Sequence, residues 1–348
     1  MNDPAYSLSR GALLSALCAS ALSIGLIGLS GLGPLPAWSQ ARGFTFALIG
    51  DLGYVPSEEP GLENVLAELS RDSALSFVVH VGDLSSPRYG CTDDMQARRL
   101  AQFNSLPHPV IYTPGDNEWT DCHEGQNVTG FDPLERLAKL RTLFFQGEQS
   151  LGKRTMPLLR QSRDPDFAKF RENVRWDQGG VMFVALHVPG SNNGLGRSPE
   201  GDAEYVERNN ANKTWLRQAF AQAKADNSRA LMIVQQANMF PEMPPFPGKA
   251  MTPSGYADMR ALLEQEATAF RKPVILVNGD SHYFRIDNPF RKTAPPGQRP
   301  PPSVENVLRV ETFGTPNHHW LHVTVEPNDP NAFTFRPRIV SANVIKRN

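Results

Sequence analysis

The sequence predicts an α/β fold built largely on parallel strands, and three features carry that expectation. Apolar runs of strand length alternate with segments of helical periodicity over most of the chain. Residues 44–50, 77–82 and 273–279 each run into an aspartate (Asp51, Asp83 and Asp280), and residues 109–112 lead through Pro114 and Gly115 to Asp116. Near the C-terminus the text changes to alternating strands over 307–312, 320–325 and 333–340, which predicts antiparallel pairing there. In an open α/β sheet the carboxyl ends of the strands line the crevice where ligands bind. Carboxylates converging in such a crevice repel one another unless a cation sits between them.

The chain has 348 residues and a formal net charge of −1, with no basic stripe, so nucleic acid is not an expected partner. Arg10 precedes an apolar, small-residue run over 11–32, and Ser39, Gln40 and Ala41 offer a small-x-small exit. Basic start, apolar middle and small-residue exit describe a secretory signal over 1–41; left uncleaved, the run could also span a membrane. Cleavage would deliver an exported protein, periplasmic or extracellular, whose domain covers 42–348. Its motif-bearing core is 44–285 and its antiparallel strands lie within 304–345. No second apolar run approaches spanning length, so no stable membrane insertion is expected after cleavage. Cys18 sits mid-run and is not read as a lipid-attachment site, and a lone Arg10 is not a twin-arginine signal. The remaining cysteines, Cys91 and Cys122, each follow a strand-end carboxylate loop. In an exported protein one disulfide is the simplest reading, worth about 3 kcal/mol, with two buried thiols as the alternative.

Each element has its own signal. Pro60 suits the first turn of a helix, and Leu62, Val65, Leu66 and Leu69 follow at helical spacing. A short helix is expected over 95–103. Asp132 and Pro133 cap and open another, with Leu134, Leu137, Leu140, Leu143 and Phe144 along one face. Residues 147–178 show weak periodicity and many charges, and are expected to cover one sheet edge. The run 181–188 reads as a buried strand ending in a polar, glycine-bounded loop with Ser191, Asn192 and Asn193. A helix over 205–225 should bury Trp215, Ala219, Phe220 and Ala223. Residues 231–234 form the next strand, ending at Gln235 and Gln236, and a proline-rich loop over 241–253 precedes a helix over 256–270. A second proline-rich stretch, 288–303, reads as a surface excursion. Two acceptor patterns for glycosylation occur, at Asn127 and Asn212.

The order of these pieces resembles the calcineurin-like metallophosphoesterases, the family that includes the purple acid phosphatases, over about residues 44–284. The resemblance rests on Asp51-Leu52-Gly53, Gly82-Asp83, Gly115-Asp116-Asn117-Glu118, the strand ending at Gln236, and Gly279-Asp280-Ser281-His282. It implies a four-layer α/β/β/α sandwich with two central sheets flanked by helices. It also implies hydrolysis of a small phosphate mono- or diester by metal-activated hydroxide, with two divalent ions as cofactors. Carried across by position, Asp83 would bridge the ions; Asp51 and His282 would complete one, and Asp116, Gln236 and Asp280 the other. Gly53, Gln236 and Asp280 stand where many members carry imidazoles. Oxygen-rich donor sets suit manganese, magnesium or calcium over zinc or iron. Ser86 stands where some acid phosphatases carry a tyrosine, which argues against the purple, iron-tyrosinate type.

Asn117 occupies the position of a family histidine thought to protonate the leaving group. An amide donates a hydrogen bond but cannot supply a proton. His123 and His187 are the foremost candidate substitutes, with His318 and His319 behind them, all near expected strand ends or crevice loops; a solvated or core histidine is the plain alternative for each. A member that binds metal or phosphate without turnover is the competing reading of the whole chain.

Overall fold

The computed structural model describes residues 43–123, 130–240, 253–292, 294, 297–301 and 303–344. The expected signal segment, the Asn127 pattern and nearly all of the loop 241–253 lie outside those residues. Strand β1 (Phe44–Ile49) leads through helix α1 (Glu59–Arg71) to β2 (Leu75–His80), and α2 (Asp93–Ser105) leads on to β3 (Val110–Tyr112). The three strands are parallel, as strand–helix–strand alternation predicts. Helix α3 (Pro133–Phe144) opens as expected, with the Asp132 side chain accepting a hydrogen bond from Glu135 N.

The second half builds another sheet. The short edge strand β4 (Leu159–Arg160) and its neighbour β5 (Val174–Gln178) precede β6 (Val181–Ala185), β7 (Ala230–Val234) and β8 (Val274–Asn278). Helices α4 (Pro199–Ala225) and α5 (Ala257–Phe270) make the crossovers among β6, β7 and β8, which are mutually parallel. Then come β9 (Arg285–Asp287), β10 (Val307–Glu311), β11 (Trp320–Val325) and β12 (Phe333–Arg338). The first sheet has the order β12-β11-β1-β2-β3 and the second β4-β5-β6-β7-β8-β10-β9.

Side-chain alternation turns the two sheets into four layers. On β1, Phe46 and Leu48 enter a core shared with Phe183, Met232, Ile275 and Val277 of the other sheet, while Ala47 and Ile49 pack with Leu62 and Val65 of α1. On β6 the same alternation sends Phe183 inward and Met182 and Val184 outward, toward Trp215, Phe220 and Leu262. Aromatic rings fill the middle: Phe46 stacks on Phe77 at 4.7 Å between centroids and Trp176 on Phe183 at 5.0 Å. Among the described residues no helix is long and apolar enough to cross a membrane.

Three expectations need correction. Residues 307–311, expected to pair antiparallel, run parallel to β8, with antiparallel β9 on their other side. The excursion after β9 carries the chain back to the start of β8, where Val274 N donates to Asn306 O, so the strand begins beside its neighbour's beginning. Only β11 and β12 keep the antiparallel direction within the expected C-terminal block. Residues 147–178 do cover an edge, through the bridge from Leu151 to Val110, but their last five form β5. Its inward residues are only Val174 and Trp176, too few to show against the charged Arg175 and Asp177. Asn212 lies fully buried within α4, its amide bonded to His187 O and Asn173, so it offers no acceptor for glycosylation.

Candidate metal centre

The sheets meet at the carboxyl ends of their central strands, and the backbone there departs from the strand conformation. Asp51, Asp83, Asp280 and His282 all take left-handed φ values, 55°, 56°, 76° and 58°. Such conformations cost about 1–3 kcal/mol each for a residue with a β-carbon and persist only where the surroundings hold them. Two glycines show how close the loops come. A β-carbon at Gly115 would stand 2.0 Å from Asp83 Oδ1, and one at Gly279 would stand 2.0 Å from Asp51 Oδ2. Each glycine therefore clears room for the carboxylate of a different strand end, which explains the glycine before Asp116 and Asp280 better than turn chemistry does.

Asp51, Asp83 and His282 each bring a donor atom within 4.8 Å of the others. Asp51 is held from the second sheet by Asp280 N, which donates to its Oδ1 at 2.9 Å, and its Oδ2 is buried with no hydrogen-bond partner among the described residues. Asp83 Oδ1 accepts from Asn117 N at 3.2 Å. His282 Nδ1 lies 3.1 Å from the Thr315 carbonyl oxygen. A carbonyl can only accept, so Nδ1 carries the proton and Nε2 is the unprotonated nitrogen, 3.7 Å from Asp51 Oδ1. Tyr54 also reaches this point, its hydroxyl bonded to Asp83 and lying 2.9 Å from His282 Nε2.

Asp116 and Asp280 stand beside the cluster with different engagements. The Gln236 amide nitrogen donates to Asp116 Oδ1 at 3.0 Å, while its oxygen accepts from Gly190 N at 2.5 Å. Because Gly190 N must donate and the carboxylate must accept, the amide orientation is fixed and the oxygen is turned away from Asp116. Asp280 Oδ2 accepts from Asn238 N at 2.8 Å. Glu118 braces the loops, its Oε1 accepting from Leu84 N, Gly115 N and the Tyr112 hydroxyl.

Burial, followed by mutual repulsion, pushes these carboxyls up. Asp51 and Asp83 lie well above the ordinary carboxylate range: burial comes first, then Asp280 and Glu311 act on Asp51, and Asp116 and Glu118 on Asp83. Asp116 is raised to about 6 by burial and then by Asp121, and Asp280 to about 7 by burial and then by Asp116. Burial lifts Glu118 to about 7. A buried carboxylate oxygen without a hydrogen-bond partner among the described residues, an unprotonated imidazole nitrogen beside it and a set of mutually repelling acids fit a cation, and the donors are mainly hard oxygens.

The candidate proton donors lie elsewhere. His187 is fully buried, its Nδ1 2.9 Å from Glu172 Oε1 and its ring against Trp119, so it is a core histidine away from the carboxylates. His123 is half-buried at the rim, its Nδ1 2.7 Å from Arg197, which pairs with Asp121. His318 accepts from Gly53 N and donates toward Pro316 O, and His319 accepts from Val340 N; both serve the backbone. Asn117 follows directly on Asp116, and its carbonyl faces both sulfurs of the Cys91–Cys122 disulfide, which joins the two carboxylate loops. Tyr54 and Arg99 were not legible as site residues. Arg99 projects from α2 to bond Gly53 O and Leu84 O, one in the loop after Asp51 and one next to Asp83.

The profile of the family described as calcineurin-like phosphoesterase matches residues 44–217. GAP50, the anchor in the inner membrane complex of Plasmodium, superposes with a TM-score of 0.40 at 10% identity, over 85% of this chain and 89% of that one. A 5'-nucleotidase from Candida albicans SC5314 superposes with a TM-score of 0.44 at 11% identity, over 84% of this chain and 50% of that one. No curated protein matches by sequence. The profile covers half of the chain and includes the first three carboxylate loops, and on that ground the protein belongs to the calcineurin-like phosphoesterase family.

Proposed function

We propose that this protein is an exported, metal-dependent hydrolase of small phosphate mono- or diesters. The observation that carries the reading is the meeting of Asp51, Asp83 and His282 within 4.8 Å, with Asp116 and Asp280 alongside. Asp51, Asp83 and His282 would hold one divalent ion. Asp83, Asp116 and Asp280 would hold a second, joined by the Gln236 oxygen only after that amide leaves Gly190. Bound ions supply neutralisation of phosphoryl oxygens and a water acidic enough to react near neutral pH. The chain itself would orient the ester: the Asn117 amide could donate to an ester oxygen, and His123, whose Nδ1 lies 2.7 Å from Arg197, is the candidate retained to hold a proton for the leaving group. The Cys91–Cys122 bond and the apolar run over 11–32 support residence in an oxidising compartment, periplasmic or extracellular.

The test is release of inorganic phosphate from aryl and alkyl phosphate esters in the presence of manganese, magnesium or calcium. Aryl esters, whose leaving groups need little protonation, should be cleaved far faster. A second reading, binding without turnover, draws support from the Gln236 N–H that faces Asp116 where a ligand oxygen would be needed. Metal binding by calorimetry with no phosphate released from any ester would favour it.

A further inference from the structure

Arg208, in α4, is fully buried and has no part in the reading above. Its Nε and Nη2 pair with Glu204, one helical turn earlier. The rest of the guanidinium is directed at a single loop. Nη1 bonds Asn193 Oδ1 and, at 3.2 Å, His187 O, while Nη2 reaches Asn193 O at 2.9 Å. Asn193 ends a turn in which three successive residues are left-handed: Ser191, Asn192 and Asn193 take φ values of 48°, 58° and 58°. Residues with a β-carbon hold that conformation only where their surroundings impose it. The first residue of the turn, Gly190, touches the carboxylate cluster. Its N–H donates to Gln236 Oε1, and a β-carbon there would stand 2.7 Å from both oxygens of Asp116. Between the two ends, Ser191 Oγ donates to Asp121 Oδ2 at 2.9 Å, and Asp121 N donates to Asp116 O at 3.1 Å. The guanidinium also lies over the ring of Trp119, 5.2 Å from its centroid, in the loop that carries Asp116 and Asn117. One buried cation thus ties together the two loops that meet at Asp116.

We propose that Arg208 is a positioning residue for the Asp116 side of the cleft: by locking Asn193 it keeps the left-handed turn closed, and the closed turn sets the Asp116 carboxylate and the Gln236 amide. The inference rests on the two-ion reading given above and adds an asymmetry to it. Asp51 and His282 are held by other groups, Asp280 N and Thr315 O, so the ion between them should be indifferent to Arg208. The ion at Asp116 and Asp280 should depend on it. A planar fork is needed for this role, because one group must meet two carbonyls, an amide oxygen and a carboxylate at once.

The test compares the wild-type chain with Arg208→Met, Arg208→Lys and Asn193→Gly. Glycine takes the left-handed φ without steric cost, removes the Oδ1 acceptor and leaves the Arg208–Glu204 pair intact, so it carries the test should Arg208→Met not fold. In the metal-free proteins, hydrogen exchange at Gly190 N should be at least tenfold faster in the variants than in wild type. Manganese titration by calorimetry should then show two ions in wild type. The variants should bind the first ion within about twofold of wild type and the second at least tenfold more weakly, with Arg208→Lys between wild type and Arg208→Met. A second ion bound as tightly in the folded variants as in wild type overturns the role of Arg208 and leaves the two-ion reading standing. Equal weakening of both ions overturns it as well, since that marks a general loss of structure and not a local one. Wild-type protein that takes up fewer than two manganese ions overturns the underlying reading and the proposal together.

Discussion

At the scale of single residues, Asp83 is the point where the cluster is most exposed to change. It meets Tyr54 through one oxygen and Asn117 N through the other, and it faces Asp51 and Asp116. Asp83→Asn keeps the shape and removes the charge, so ion binding and ester hydrolysis should both be lost while far-UV circular dichroism is unchanged. Full turnover in that variant contradicts a bridging role. Asn117 tests a different step. Restoring a proton donor with Asn117→His should raise kcat on alkyl esters, where general acid catalysis is worth roughly 100- to 10,000-fold, and change aryl esters little. Equal rates for both enzymes on alkyl esters would mean that position 117 does not face the leaving group. The four aspartates could be read from the sequence because each ends an apolar run after a glycine. Tyr54 could not, since nothing in an irregular loop tells which way a phenol points.

At the scale of elements, the carboxylate loops are held by groups that sit well outside them. Arg99 of α2 reaches Leu84 O at 2.6 Å and Gly53 O at 2.9 Å, and its charge is balanced by a bidentate pair with Glu59. Arg99→Met would leave the partly buried Glu59 without its guanidinium partner, Leu84 O without the Arg99 donor, and Gly53 O with only the Ser85 hydroxyl at 3.3 Å. Breaking a buried pair this way costs about 3–5 kcal/mol, measurable by urea unfolding. Arg99→Lys should recover part of the stability but not all, because an ammonium cannot span both carbonyls and the carboxylate in one plane. A variant as stable as wild type would show that the loops hold themselves. These clamps were opaque in the sequence because a helical arginine reads as solvated unless its neighbours are known. The direction of β10 was opaque for a related reason: alternation reveals which face is buried, whereas direction depends on where an irregular excursion returns the chain.

At the scale of the molecule, the alternation of strands and helices made a parallel α/β fold legible, the family resemblance implied its four layers, and the strand-end aspartates made the convergence of charge legible. The energetic consequence of that convergence is a stability that should depend on pH and on metal in a defined sense. In the metal-free protein, burial and then Asp116 raise the Asp280 carboxyl from 3.8 to about 7. The folded chain therefore keeps a proton near pH 5 to 6 that the unfolded chain has released. The stability contributed by that group is full below about 4 and is lost as pH rises through about 7. Buried histidines act in the opposite direction. Burial, followed by Arg99, holds His80 down from 6.5 to about 3, so its contribution is full above 6.5 and is lost as pH falls toward 3. A bare pH–stability curve mixes the two, and comparison with Asp280→Asn separates them. In the presence of chelator the variant should gain on wild type between pH 5 and pH 8, by up to about 1.4 kcal/mol per pH unit in urea unfolding. Saturating metal should reverse the order at pH 8, because the ion stabilises the carboxylate that the variant lacks. A difference between the two proteins that stays flat from pH 5 to pH 8 would mean that the Asp280 carboxylate is not under the repulsion that the cleft imposes.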